Sequence, residues 1–247
     1  MGDCGMSVCW TATDGIKQYA HGRALSHSTA MLEQQAIKFA NNSSRLNVMR
    51  QMYNMRYPNE NTSKYTARQI RGYEGSHVKK IYEQYSAKYG IEWKYRTIGR
   101  DKYNELTPIN KAITTAHQCM YGLSYAVICA LGLSPGLGFS HCGQDIAFVL
   151  DFADLYNESI SIPVAFCAAK DCQDNIDLEI SARTKTLMRE AFREKRLTQQ
   201  MVRDLQLLFT NDEHSANFDS NVLYLWDNRM GLQKAGAQYE MFDTQLG

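Results

Sequence analysis

The sequence contains no apolar run long enough to cross a bilayer, which takes about 18 residues. It opens Met1-Gly2-Asp3-Cys4-Gly5, with no basic stretch ahead of an apolar core, so no secretory leader is legible. No two of its 7 cysteines stand as Cys-x-x-Cys. An odd, scattered set argues against a disulfide framework and against a zinc site, and suits a reducing cytoplasm. Gly136-Leu137-Gly138 has no Lys-Ser/Thr after it, which removes a P-loop. No Ser-His-Asp or Cys-His set has recognisable context, and repeats and low-complexity segments are absent. What remains is an ordinary globular composition, 44% hydrophobic and 21% charged over 247 residues, enough for one or two domains with a proper core.

The net charge of +1 hides a segregation. Residues 45–102 hold thirteen Lys or Arg against five Asp or Glu. Residues 140–180 hold one Lys against eight acids, and residues 183–203 hold seven Lys or Arg against two acids. The first basic block also carries many tyrosines, among them Tyr53, Tyr65, Tyr73 and Tyr85. Basic and aromatic side chains together track phosphates and stack bases. The plainer reading is a solvated helical surface with Tyr filling the core.

The periodicity is mostly helical. Met6–Trp10 and Gly15–Tyr19 read as two short strands around an Asp14-Gly15 turn. Met31, Leu32, Ala36, Phe39, Leu46, Met49 and Met52 predict a helix from Ser28 to Met55, stopped by Pro58. Thr66-Ala67-Arg68-Gln69 is a capping-box pattern that starts a helix running to about Tyr89, where Gly90 ends it. Thr107-Pro108 starts another, whose apolar face runs from Ile109 to Ala130 and ends at Gly132. A Gly-rich loop, Ser134 to Gly143, precedes helices predicted near 144–157, 162–171, 176–196 and 198–210. Leu223–Trp226 reads as a strand. The fold class expected is mainly α, with a small N-terminal β element.

Three features carry candidate chemistry. Gly72 and Gly75 flank Glu74 inside a predicted helix, at about 1 kcal/mol each, so something approaches the backbone closely there. Alternatively, Glu74 pairs with Arg71 one turn earlier. His77, one turn on, could orient it. His141 follows the glycines at the loop's end, where it is presented to a cleft or simply caps the core. Asp151 and Asp154 share one helix face within an apolar segment, which favours a cation between them; the alternative is a pair interacting with the helix dipole. Carboxylates with one imidazole suit Mg²⁺ or Mn²⁺ better than zinc. A hard cation beside basic, aromatic surface points to phosphoryl transfer on nucleic acid. His21 and His27, beside Arg23, could touch phosphate.

The same residues sit in segments that resemble a known family over almost the whole chain. These include Tyr19–Ser28, Arg50–Pro58, Gln69-Ile70-Arg71-Gly72-Tyr73-Glu74-Gly75, Leu131–His141, Phe148–Asp154 and Leu225-Trp226-Asp227, in order and in spacing. The chain is similar to the integrase subunit of CRISPR adaptation, the Cas1 family, in its type I-E branch. The resemblance implies Glu74, His141 and Asp154 as ligands of Mg²⁺ or Mn²⁺, Asp151 as a further acidic catalytic residue, and Arg71, Lys185 and Arg189 along DNA. It implies an N-terminal β-domain, of which residues 1–22 are the remainder, followed by an α-helical catalytic domain over residues 23–247. The activity implied is joining of the 3′-hydroxyl ends of a short DNA duplex into a CRISPR array by transesterification. The partners implied are double-stranded DNA, the small Cas-two subunit and a second copy of the chain, with no membrane. Gln144, Leu150 and Asn157 stand where some relatives carry Lys or Tyr. Two other readings are an endonuclease on branched DNA and a non-catalytic DNA-binding scaffold.

Overall fold

A computed structural model of the chain describes residues 8–11, 17–21, 29–96, 100–209, 224–227 and 231–234. The fold is mainly α. The helices are α1 (Ala30–Ala40), α2 (Asn42–Arg56), α3 (Ala67–Tyr89), α4 (Pro108–Ala130), α5 (Ala147–Tyr156), α6 (Ile162–Asp174), α7 (Ile180–Glu194) and α8 (Leu197–Phe209). Two antiparallel hairpins accompany them, β1 (Val8–Thr11) with β2 (Lys17–His21), and β3 (Tyr224–Asp227) with β4 (Gly231–Lys234). Arg23, His27 and His214 lie outside the described residues.

The local signals explain most helix ends. The Thr66 hydroxyl accepts from the Gln69 N–H while the Gln69 side chain accepts from the Thr66 N–H, and Gly90 ends α3 at φ 65°. Pro108 takes the first turn of α4 behind the Thr107 cap. The predicted helix from Ser28 to Met55 is instead two helices. Asn41 breaks it with an extended backbone, and its side chain accepts from the Ser44 N–H to start α2. The apolar stripe continues through the break, so periodicity alone misses it; the run Asn41-Asn42-Ser43-Ser44 is the signal. The first two strands lie about two residues later than predicted, and the partner of the strand at 224–227 was missed altogether. Between α5 and α6 the chain makes a π-helical turn, Asn157–Ser161.

Helix α4 runs through the centre and packs against α5, α6, α7 and α8. Ile113, Ala116, Met120 and Ile128 on it are fully buried. An aromatic cluster closes the side toward the Gly-rich loop. Phe139 meets Phe148 edge-on at 5.8 Å and lies 5.9 Å from Phe209, while Phe148 stacks on Phe152. Aromatic pairs at these separations add to the area they bury.

The glycines divide into two kinds. A Cβ on Gly138 would lie 2.5 Å from the His141 carbonyl oxygen and 2.7 Å from Ala147, so the loop needs glycine to pass the start of α5. A Cβ on Gly72 or Gly75 would meet nothing within 4 Å. Gly138→Ala should therefore lower stability by about 1–3 kcal/mol through overpacking. Gly72→Ala should raise it by about 0.5–1 kcal/mol through helix propensity. Urea titrations of both variants check the opposed signs; equal effects would show that the loop yields to the extra methyl.

Candidate metal centre

The Gly-rich loop between α4 and α5 is held from four helices. Gln35 of α1 is fully buried; its Nε2 donates to the carbonyls of Ser134 (2.9 Å) and Leu137 (3.2 Å), and its Oε1 accepts from the Ser134 N–H (2.8 Å). Arg45 of α2 donates to the Phe139 carbonyl (3.1 Å) and Arg71 of α3 to the Ser140 carbonyl (3.3 Å).

Asp151 of α5 completes the hold. Its side chain is wholly buried. Oδ2 accepts from the N–H groups of Phe139 (2.5 Å) and Ser140 (2.9 Å). Oδ1 accepts from the His141 N–H (2.8 Å) and meets His141 Nδ1 at 2.7 Å. The macrodipole alternative does not describe Asp151, whose partners are N–H groups of the preceding loop. The bond to Asp151 holds the imidazole above its ordinary pKa, against the effect of burial.

His141 lines a small cavity together with Glu74 of α3, Asp151 and Asp154 of α5, Arg56 of α2, and the apolar Met49, Met52 and Ile70. The cavity holds about 20 Å³, room for about one water-sized sphere. The four acidic and imidazole candidates, drawn from three separate segments, thus meet in one place. Burial pushes the Glu74 carboxyl up, opposed by Arg56. Burial also pushes up the carboxyl of partly exposed Asp154, which accepts a 2.8 Å bond from Asn157 Nδ2.

Other details depart from expectation. Glu74 pairs with Arg56 at 2.9 Å, not with Arg71. His77 lies 3.3 Å from Glu60 and packs at a tilt against Tyr57, so it does not orient Glu74. Lys185 and Arg189 are exposed one turn apart on α7 and act electrostatically on Cys119 of α4; no contact joins them to the cavity. Arg71 is exposed one turn before Glu74. An open hollow of about 670 Å³ beside α2, lined by Asn47, Arg50, Asn54 and Asn61, holds none of the candidates.

Three residues of the site were not singled out from sequence: Arg56, Tyr57 and Glu158. Arg56 joins Glu74 to Glu158, and the Tyr57 hydroxyl donates to Glu158. A signal existed for Glu158. Asp151, Asp154 and Glu158 follow at intervals of three and four, one helical face.

The donor set fits a hard divalent cation. Among the described residues no three acidic, His or Cys groups yet stand close enough to enclose an ion, with Glu74 drawn to Arg56. Yet Asp151 engages Nδ1 and leaves Nε2 for another ligand, the arrangement that orients metal-binding imidazoles. Two carboxylates raised by burial face the same small space.

The two aspartates should separate in stability measurements. Asp151→Asn places an amide opposite N–H donors and should cost about 2–3 kcal/mol. A raised carboxyl makes the folded state bind more protons than the unfolded, so without metal the stability from Glu74 and Asp154 falls as pH rises above the ordinary carboxylate range. Asp154→Asn should flatten that fall at little cost. Urea midpoints from pH 4 to 8 in chelator test both; a steeper fall in Asp154→Asn would refute the assignment.

No family model matches the chain. Individual relatives do. The chain is 43% identical over 240 residues to a CRISPR-associated endonuclease Cas1 from Clostridium sp. (strain SY8519), covering 97% of the chain and 78% of the relative. It is 33% identical over 205 residues to a CRISPR-associated endonuclease Cas1 from Thermus thermophilus, covering 83% of the chain but 62% of that relative. Among solved structures, a TtCas1–DNA complex superposes with a TM-score of 0.79 at 31% identity, over 95% of this chain and 81% of that one. With its helical fold and these likenesses, the chain belongs to the family of CRISPR-associated Cas1 endonucleases.

Proposed function

We propose that this cavity is the centre of a divalent-metal-dependent DNA integrase of CRISPR adaptation, with Glu74, His141 and Asp154 holding Mg²⁺ or Mn²⁺. The observation that carries the reading is the carboxylate-oriented imidazole of His141 facing one small cavity with the carboxylates of Glu74 and Asp154. When bound, the ion would stabilise charge on a scissile phosphate and favour attack by a hydroxyl.

The chain's own groups supply the rest. Asp151 spends all four acceptor positions on the loop and on His141, so it acts by positioning the imidazole. Arg71, exposed beside Glu74, offers a cation where a strand would enter. Lys185 and Arg189 extend basic surface along α7. The reaction proposed is transesterification: the 3′-oxygen of a short duplex bonds to phosphorus at the edge of a repeat while the array strand's bond to its own 3′-oxygen breaks. The proton lost by the attacking hydroxyl is balanced by the one gained by the leaving 3′-oxygen, and no ATP is consumed. Double-stranded DNA, a second copy of the chain and the small Cas-two subunit are the partners of this reading. The relatives' description as endonucleases favours a second use of the same centre, with water as the attacking group on branched DNA.

A strand-transfer assay tests the proposal. A labelled duplex with free 3′-hydroxyls, the small partner and a supercoiled array plasmid are mixed with this chain in Mn²⁺. Label joined to the plasmid, and lost with EDTA or in His141→Ala, supports the integrase. Cleavage without joining favours the endonuclease, and binding alone a scaffold. Asp154→Ala should abolish joining while duplex affinity stays within a few-fold in gel shifts, since it removes a proposed metal ligand and no phosphate contact. Lys185→Ala should weaken duplex binding and reduce the slope of log affinity against log salt by about one. An unchanged slope would remove Lys185 from the DNA path.

A further inference from the structure

Arg56 stands between the proposed metal ligands and a carboxylate that has no assigned part. Its side chain is 6% exposed. Nη1 donates to Glu74 at 2.9 Å. Nη2 donates to Glu158 and to the Tyr57 hydroxyl (3.2 Å), while that hydroxyl itself donates to Glu158. Nε is buried without a partner. The two arms differ. Glu158 is held by two donors and is 14% exposed; Glu74 is held by Arg56 and is 26% exposed. The Glu158 arm is the anchored one, and the Glu74 arm the one that opens more readily.

The local structure builds this asymmetry. Helix α2 ends at Arg56, and Tyr57, ahead of Pro58, leaves the helical conformation at φ −128°, ψ 72°. Arg56 and Tyr57 thus reach the same carboxylate from a helix end. Glu158 comes from the π-helical turn after α5; such turns recur at functional sites. Asp154 also acts on Arg56. Glu74 has to exchange Arg56 for a divalent cation if it is to become a ligand.

We propose that Glu158 is a positioning residue: with Tyr57 it anchors Arg56, so that a divalent cation can take Glu74 while the displaced guanidinium keeps a partner. Arg56 is then a resident competitor that sets the affinity of the centre for its ion. This rests on the metal-binding reading above and adds a residue to it. Without Glu158, Arg56 has Glu74 as its one short ion pair and closes on it more tightly. Without Arg56 and Glu158 together, Glu74 has no resident cation to exchange, and neither partner of the Arg56–Glu158 pair is left behind alone.

The test is Mn²⁺ binding to the full chain without DNA, followed by calorimetry and by the electron paramagnetic resonance signal of free Mn²⁺. Glu158→Gln should weaken Mn²⁺ binding roughly tenfold, and the double variant Arg56→Gln/Glu158→Gln should tighten it roughly tenfold over wild type. Opposite signs support the proposal, because a merely structural role would move both variants the same way. Two weakened variants, or two unchanged ones, overturn it. Asp154→Ala separates the premise from the inference. Wild-type chain that binds no Mn²⁺, or Asp154→Ala that binds as wild type, overturns the metal reading and this proposal together. Normal behaviour of those two without opposed signs overturns the Arg56 assignment alone. Thermal melts check that the double variant is folded. Where it is not, Arg56→Lys decides: one ammonium kept by Glu158 should release Glu74 and tighten Mn²⁺, and weaker binding refutes the proposal.

Discussion

The centre depends on one buried carboxylate. Asp151 has no exposed side-chain surface, yet it accepts three consecutive backbone N–H groups and meets an imidazole nitrogen. A carboxylate taken out of water is costly unless its lone pairs are met, and here all of them are. The consequence is mechanical. Phe139 is fixed with its ring in the aromatic cluster, so Ser140 and His141 are turned outward to the cavity. Gln35, Arg45 and Arg71 hold carbonyls of the same loop from the other side. The N–H groups of Phe139, Ser140 and His141 thus face α5, while the carbonyls of Ser134, Leu137, Phe139 and Ser140 face α1, α2 and α3. That leaves a glycine-rich segment little freedom, despite its composition.

Legibility followed the range of the interaction. Helices set by local chemistry could be read, as with the Thr66 capping box and the Pro108 start. The break at Asn41 could have been read from a cap-forming run but was overridden by a continuous apolar stripe. In the site, the residues came from sequence and their partners did not. Asp151 and Asp154 look alike in sequence, both acids in an apolar helix. Only the fold separates them, one saturated with donors and the other facing the cavity with a single amide bond. The Arg56–Glu74 pair spans eighteen positions and the Arg56–Glu158 pair 102, distances at which no periodicity rule operates.

Charge arrangement follows the same division. Four carboxylates, Glu74, Asp151, Asp154 and Glu158, gather within reach of one guanidinium and one imidazole. The acids there outnumber the guanidinium and the imidazole by two. The near-neutral total charge of the chain says nothing of this, because the basic residues of 45–102 lie largely on exposed helix faces. Arg56 is carried inward, its side chain 6% exposed, and so the local balance turns on it.

Helix α3 shows where the fold gives up stability without an internal return. A Cβ on Gly72 or Gly75 would meet nothing within 4 Å among the described residues, yet each sits mid-helix, where glycine costs about 1 kcal/mol against alanine. Gly138 has a packing reason and, among the described residues, these two do not. They flank Glu74 on the helix that also exposes Arg71 and Tyr73. A surface kept free of side chains beside a phosphate-seeking cation suits the close approach of a nucleic-acid backbone, which a Cβ at either position would hold further from Glu74. Under the proposed function, that cost would be recovered on binding, where the helix face and a strand laid against it would share one surface.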